Sequence, residues 1–238
     1  MIKLLISIGY VEELSLTYKY KQYIDILDLK NVRSGEALGC PTYDLIKRAL
    51  ENKFAEISVP IGDLYYYSTN VVTLAEIFNE LGVDYVKAGI CMNNVEEITR
   101  LVHSLRDVLT SSRLVVAGFG DYYEIKSIDP IKLFNICRRF DIDVMMLDTK
   151  IKNGLSIIEK YGIENIIKLR EECKAHDMMF AIAGGLKLND IVKIVREVYP
   201  DVIGVRSILC NERSSIIVED RLKEVINIVK FSPLKLIY

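Results

Sequence analysis

The chain predicts a single-domain α/β fold, the (β/α)₈ TIM barrel, on three observations. Eight short runs rich in Ile, Val, Leu and Met recur along it, at 3–9, 24–30, 56–62, 85–90, 113–119, 144–150, 179–185 and 202–208. Segments with helical periodicity separate them. Three of the runs end in charge. Strand and helix alternating eight times is the pattern of a closed parallel barrel. A doubly wound open sheet would call for a glycine-rich turn after its first strand, and here Gly9 is followed by Tyr10-Val11-Glu12-Glu13. The barrel is expected over 1–230, with a C-terminal tail at 231–238.

Side chains alternate along a strand, so the second run should place Ile24, Ile26, Asp28 and Lys30 on one face and Leu27 and Leu29 on the other. Nothing apolar is gained by setting Asp28 and Lys30 beside an isoleucine row. The fourth run repeats the oddity at Lys87 and the sixth at Asp148, with Lys152 just beyond it. Among the helical segments, 94–102 puts Val95, Ile98, Leu101 and Val102 on one stripe. The segment from Leu188 does likewise, with Asn189 or Asp190 as its cap, and Asp129-Pro130 reads as a helix start. Residues 153–162 are expected to form a partly helical flap. The apolar tail should pack across the barrel or into a contact with a second copy in a homo-oligomer.

Half of the 238 residues are hydrophobic, enough for one large core. The net charge of −2 argues against a nucleic-acid surface. The apolar runs are too short and too interrupted by charge to span a membrane. Met1-Ile2-Lys3 leads straight into a strand-like run, without the cleavage site of a secretory leader, so a cytoplasmic setting is expected. Cys40, Cys91, Cys137, Cys173 and Cys210 form no Cys-x-x-Cys pair, and the two histidines, His103 and His176, lie in helical segments. No metal site is expected. Cys40, Cys91 and Cys210 follow strand ends, but small buried thiols are the commoner outcome.

In this fold the carboxyl ends of the strands build the site. Asp28, Lys30, Lys87, Asp148 and Lys152 all fall there, on even-numbered strands that share a layer. At about 6 Å and an effective dielectric of roughly 20, two ammonium groups repel by about 2.8 kcal/mol, or about 2 pKa units. Such crowding would leave roughly 4% neutral amine at pH 7. Neutral amine is the nucleophile that forms a Schiff base with a carbonyl, and the two carboxylates could move protons as the carbinolamine collapses. The competing reading makes Asp28–Lys30 and Asp148–Lys152 structural ion pairs. Gly184-Gly185 and Arg206-Ser207, after strands seven and eight, suggest phosphate binding, with Arg206 as a bidentate ligand. Paired glycines could equally serve close packing.

The runs Asp28-Leu29-Lys30-Asn31, Asp84-Tyr85-Val86-Lys87-Ala88-Gly89, Val116-Ala117-Gly118-Phe119, Asp148-Thr149-Lys150-Ile151-Lys152-Asn153-Gly154, Ala181-Ile182-Ala183-Gly184 and Gly204-Val205-Arg206 occur in this order. Together they resemble the (5-formylfuran-3-yl)methyl phosphate synthase family of methanofuran biosynthesis, over nearly the whole chain. The resemblance implies a (β/α)₈ barrel that condenses two molecules of glyceraldehyde 3-phosphate, a small phosphorylated aldehyde. Phosphate and water are lost, giving 4-(hydroxymethyl)-2-furancarboxaldehyde phosphate, and no metal or organic cofactor takes part. By position it implies that Lys30 is the Schiff-base lysine and Lys87 the proton acceptor. Asp28, Asp148 and Lys152 match further active-site positions. The family's Pro-Gly-Thr loop after strand three is replaced by Tyr67-Ser68-Thr69-Asn70, and its loop after strand eight by Asn211-Glu212-Arg213-Ser214-Ser215. Those loops would shape the substrate and phosphate pockets. A different Schiff-base phosphosugar aldolase, or a barrel that only binds a phosphorylated metabolite, are the alternative readings.

Overall fold

The first strand hydrogen-bonds to both the second and the eighth, which closes the sheet and excludes the open doubly wound alternative. In this computed structural model, which describes residues 1–212 and 215–231, eight parallel strands run in sequence order around the barrel. They are β1 (Lys3–Ile8), β2 (Ile26–Leu29), β3 (Glu56–Leu64), β4 (Tyr85–Ile90), β5 (Arg113–Phe119), β6 (Val144–Asp148), β7 (Met179–Ile182) and β8 (Val202–Val205). The helices between them are α1 (Glu12–Lys19), α2 (Tyr43–Glu51), α3 (Thr69–Glu80), α4 (Val95–Val108), α5 (Pro130–Cys137), α6 (Ile157–Tyr161), α7 (Ile163–Ala175), α8 (Leu188–Lys193) and α9 (Glu219–Ile226). Residues 232–238 of the expected tail lie outside the described residues.

Two apolar layers follow from strand alternation. Leu27 and Leu29 face outward and join the core between sheet and helices, whereas Ile26 faces inward with Leu5, Val115, Val144, Met146, Ala181 and Val202. Ile24 precedes β2 and packs in the outer core, not on the inward row with Ile26. The helix stripes behave as expected from their period: Ile98, Leu101, Val102 and Leu105 of α4 are buried. Val95 is not, because it is the first residue of the helix and turns to solvent.

Local polar side chains set the helix starts. Asn94 accepts from the backbone N–H groups of Glu96 and Glu97, and Asp129 from that of Ile131 just after Pro130. At α8 the carboxylate of Asp190 reaches back to the Lys187 N–H at 2.9 Å, so Asp190 acts from inside the helix. The 153–162 segment is indeed partly helical. Its helical half is anchored by a Ser156–Glu159 capping box and by a hydrogen bond from Ile157 N–H to Gly184 O at 2.8 Å. Among the described residues no helix is long and apolar enough to cross a membrane.

Candidate active site

Asp28 and Asp148 are the buried carboxylates around which the mouth is built, each at the carboxyl end of an even strand. Asp28 Oδ2 accepts from Ser7 Oγ of β1 at 2.7 Å, and its Oδ1 is in direct contact with Lys87 Nζ of β4. Lys30 follows β2 immediately, with Nζ 3.8 Å from Asp28 Oδ2 and donating to Ala37 O at 3.2 Å. On the other side Asp148 Oδ1 accepts from Thr149 N–H at 2.6 Å and from Lys152 Nζ at 3.1 Å. Lys152 also donates to the Thr149 carbonyl and hydroxyl.

Asp28, Lys30, Asp148 and Lys152 line one cavity of about 340 Å³ together with Ser7, Leu155, the Gly184-Gly185 turn and Ser207. Asp28, Lys30, Asp148 and Lys152 therefore do converge. Lys87 is placed differently. It lies behind Asp28, 1% exposed, facing the packed barrel interior beside Ser58 and Tyr85. Asp28 is the member of this set that both touches Lys87 and lines the cavity.

Burial pushes the Lys30 amine down to about 8, against the pull of Asp28, with Lys87 adding repulsion. The expected depression is present, but its leading cause differs from the crowding of amines read from the sequence. Desolvation leads and the second amine comes third. An amine titrating near 8 is about 9% neutral at pH 7, where an ordinary lysine is well under 0.1% neutral. Burial would raise the Asp148 carboxyl, but Lys152, Lys30 and the Thr149 N–H outweigh it and hold Asp148 below the usual carboxylate range. Asp148 is therefore an anion at neutral pH, fit to accept a proton and not to donate one. The cavity acid nearest to it is the Lys152 ammonium.

The glycine pair is needed for packing as well as available to a ligand. Gly184 has φ +104°, and a Cβ there would stand 2.8 Å from Thr149 N; one on Gly185 would stand 2.7 Å from Leu155 O. The turn after β7 thus presses against the loop that carries Asp148 and Lys152. Arg206, which the sequence offers to a phosphate, lines the same cavity, and its guanidinium is engaged by this chain's own Glu13. One nitrogen meets both Glu13 oxygens at 2.8 and 2.9 Å and the Ser7 carbonyl at 3.1 Å, and the other donates to Ser215 O. Glu13 is fully buried and needs that countercharge.

Sequence reasoning missed Glu13, Asp63 and Asp121, three buried acids that bind backbone. Glu13 accepts from the N–H groups of Gly9, Tyr10 and Ile217. Asp121 accepts from Lys150 and Ile151 N–H and from Lys160 Nζ, which holds the loop bearing Lys152. Asp63 accepts from Ala37 and Leu38 N–H and from Lys150 Nζ. Glu13 reads as an ordinary acid on a helix. Asp63 follows a strand read as ending at Gly62, and only the Gly-Asp pair there could have signalled it. None of the cysteines lines the cavity; Cys91, beside Asp63, is buried and its thiol is pushed up to about 12. Among the described residues no group of three or more His, Cys, Asp or Glu side chains could hold a metal ion.

Residues 4–226 match the family model described as 4-HFC-P synthase. This chain belongs to that family. A (5-formylfuran-3-yl)methyl phosphate synthase of Archaeoglobus fulgidus is 35% identical over 202 residues, 81% of this chain and 85% of the relative. One of Methanosarcina mazei is 30% identical over 85% of this chain and 89% of its own length. Among solved structures, phosphoribosyl anthranilate isomerase from Thermotoga maritima superposes with a TM-score of 0.67 at 13% identity, covering 97% of this chain and 99% of that one. That likeness is one of fold.

Proposed function

We propose that this chain is a furan phosphate synthase of methanofuran-type cofactor biosynthesis. It condenses two glyceraldehyde 3-phosphate molecules through a Schiff base on Lys30, with elimination of phosphate and water. The observation that carries the reading is a dry amine on the cavity wall titrating near 8, flanked by an anionic Asp148 and a cationic Lys152. Family membership and the names of the relatives support the product.

Lys30 attacks the aldehyde carbon of one triose phosphate, and the resulting carbinolamine loses water to give the imine. Lys152 supplies the proton that the departing oxygen takes up, and Asp148 removes a proton from carbon or nitrogen. The protonated imine acidifies the adjacent carbon, which gives up its proton to become an enamine. The enamine adds to the carbonyl carbon of the second triose, whose oxygen takes up a proton. Phosphate and water leave by elimination, and hydrolysis of the imine frees Lys30. Asp28 relays protons to Lys87. The backbone of Gly184 and Gly185, with Ser207, receives a phosphate in the cavity. Chemically this is a carbon–oxygen lyase acting on phosphates.

Incubation with glyceraldehyde 3-phosphate should release free phosphate and build the ultraviolet absorbance of a furan aldehyde. Borohydride added during turnover should add the mass of a reduced triose to the peptide that contains Lys30. A protein that binds the substrate yet gives neither adduct nor phosphate would overturn the reading. Phosphate retained in a linear aldol product would make it a phosphosugar aldolase instead.

A further inference from the structure

Lys30 is kept dry by a turn of backbone, and the element that holds this turn is remote from the chain around Lys30. Residues Ala37 and Leu38 are both fully buried, with Leu38 packed on the barrel's inner apolar cluster. The Ala37 carbonyl receives the Lys30 amine at 3.2 Å. The Ala37 and Leu38 N–H groups both donate to the Asp63 carboxylate, at 2.7 and 3.1 Å.

We propose that Asp63 is a positioning residue for Lys30, clamping the Ala37–Leu38 turn so that the amine stays aimed into the cavity and shielded from water. The backbone of β3 is built for this. Pro60 pairs with Lys87, but the next pairing is Asp63 with Gly89, so β3 carries an extra residue in a bulge. Gly62 within it has φ +115°, a conformation that L side chains rarely adopt. A bulge re-aims the side chains beyond it, and here it turns Asp63 inward, with its side chain fully buried. Lys150 reaches Asp63 from the loop after β6 at 2.5 Å and supplies the countercharge. Glu36 and Cys91 are its other titratable neighbours, and Tyr65 faces Lys150 and Cys91. A carboxylate accepting two consecutive backbone N–H groups and a lysine has three of its roughly four acceptor sites filled.

The inference rests on Lys30 being the reacting amine. Lys30 is faced by Asp28, Lys87, Asp148 and Lys152, and burial is the first cause of its lowered pKa. Freeing the turn lets water in, so the amine titrates closer to an ordinary lysine. The test is borohydride trapping of Lys30 with glyceraldehyde 3-phosphate across pH, beside thermal melting. In Asp63→Asn the acid limb of the trapping profile should move up by about one pH unit, a loss of about tenfold at pH 7 that is recovered at high pH. Lys150→Met keeps both backbone bonds and should leave the midpoint where it is. Gly62→Ala disturbs the bulge with Asp63 intact, and should reproduce the shift should Asp63→Asn fail to fold.

An unmoved midpoint in both Asp63→Asn and Gly62→Ala, with amplitude falling only as the folded fraction falls, would overturn the proposal. So would Lys150→Met alone reproducing the shift, since the effect would then belong to the charge pair. No adduct in the unaltered protein is a separate failure, that of Lys30 as nucleophile.

Discussion

The two ends of this barrel use aspartate in opposite ways. At the amino end, Asp25, Asp84, Asp143 and Asp201 each stand one residue before an even strand, at nearly equal intervals along the chain. Each accepts a backbone N–H from the neighbouring odd strand: Leu4 at 2.6 Å, Ile57 at 2.6 Å, Leu114 at 2.9 Å and Phe180 at 2.8 Å. The device repeats because its task, closing one strand start onto the next, is the same around the ring. At the carboxyl end nothing repeats. Asp28 faces two amines and a hydroxyl, Asp148 an amine and a backbone N–H, and Asp63 and Asp121 hold neighbouring loops. Repetition marks what every strand needs for stability, and its loss marks where individual groups act on a ligand.

The largest effect should come from Lys30. Replacing it with Met should abolish the borohydride adduct and phosphate release while the protein becomes more stable at pH 7. The sign follows from linkage. The folded amine titrates near 8 and the unfolded one near 10.5, so stability is fullest above 10.5 and is lost as pH falls through 8. Removing the amine relieves a cost on the order of 3 kcal/mol at pH 7. Denaturant melts of both proteins at pH 7 and pH 10 would measure it, and a Lys30→Met protein that is less stable at pH 7 would show that the amine is not held under strain. Asp28→Asn comes next. It leaves the buried Lys87 charge without its contacting carboxylate, which costs about 3–5 kcal/mol. Because Asp28 raises the Lys30 pKa, the acid limb of trapping should also move to lower pH in this variant.

Lys87→Met sharpens the contrast further, since Lys87 acts on Lys30 with the opposite sign. Removing it should move the acid limb to higher pH and lower trapping at pH 7, by less than the shift produced by rehydrating Lys30. A shift to lower pH would show that Lys87 does not act on Lys30 through charge repulsion.

Much of this was legible in the chain. Strand alternation and spacing gave the barrel, and charge at strand ends gave Asp28, Lys30, Lys87 and Asp148, because a charged side chain on an inward face has few reasons to be there. Three things were not legible. That Lys87 sits behind Asp28 depends on which residue of the layer points deeper, and alternation is silent on depth. That Glu13 takes up Arg206 depends on a contact between the first helix and the last strand, 193 positions apart. Asp63 was hidden by the bulge: a period-two reading ends β3 at Gly62, and the extra residue that turns Asp63 inward breaks the very period by which strands are recognised.

The smallest effect, and the one that would break the comparison between the two ends, belongs to the amino-end ring. Asp143→Ala leaves the Leu114 N–H without its acceptor at the start of β5, at a cost of about 1–3 kcal/mol. The cavity lies at the other end of β6, with Met145, Met146 and Leu147 packed between, and none of the charges acting on Lys30 is touched. Melting should therefore shift while the trapping midpoint near pH 8 stays in place. If the midpoint moved as well, strain at one end of β6 would be reaching Asp148 at the other. The ring of aspartates would then be part of how the amine is tuned, and stability and chemistry would not be divided between the two ends.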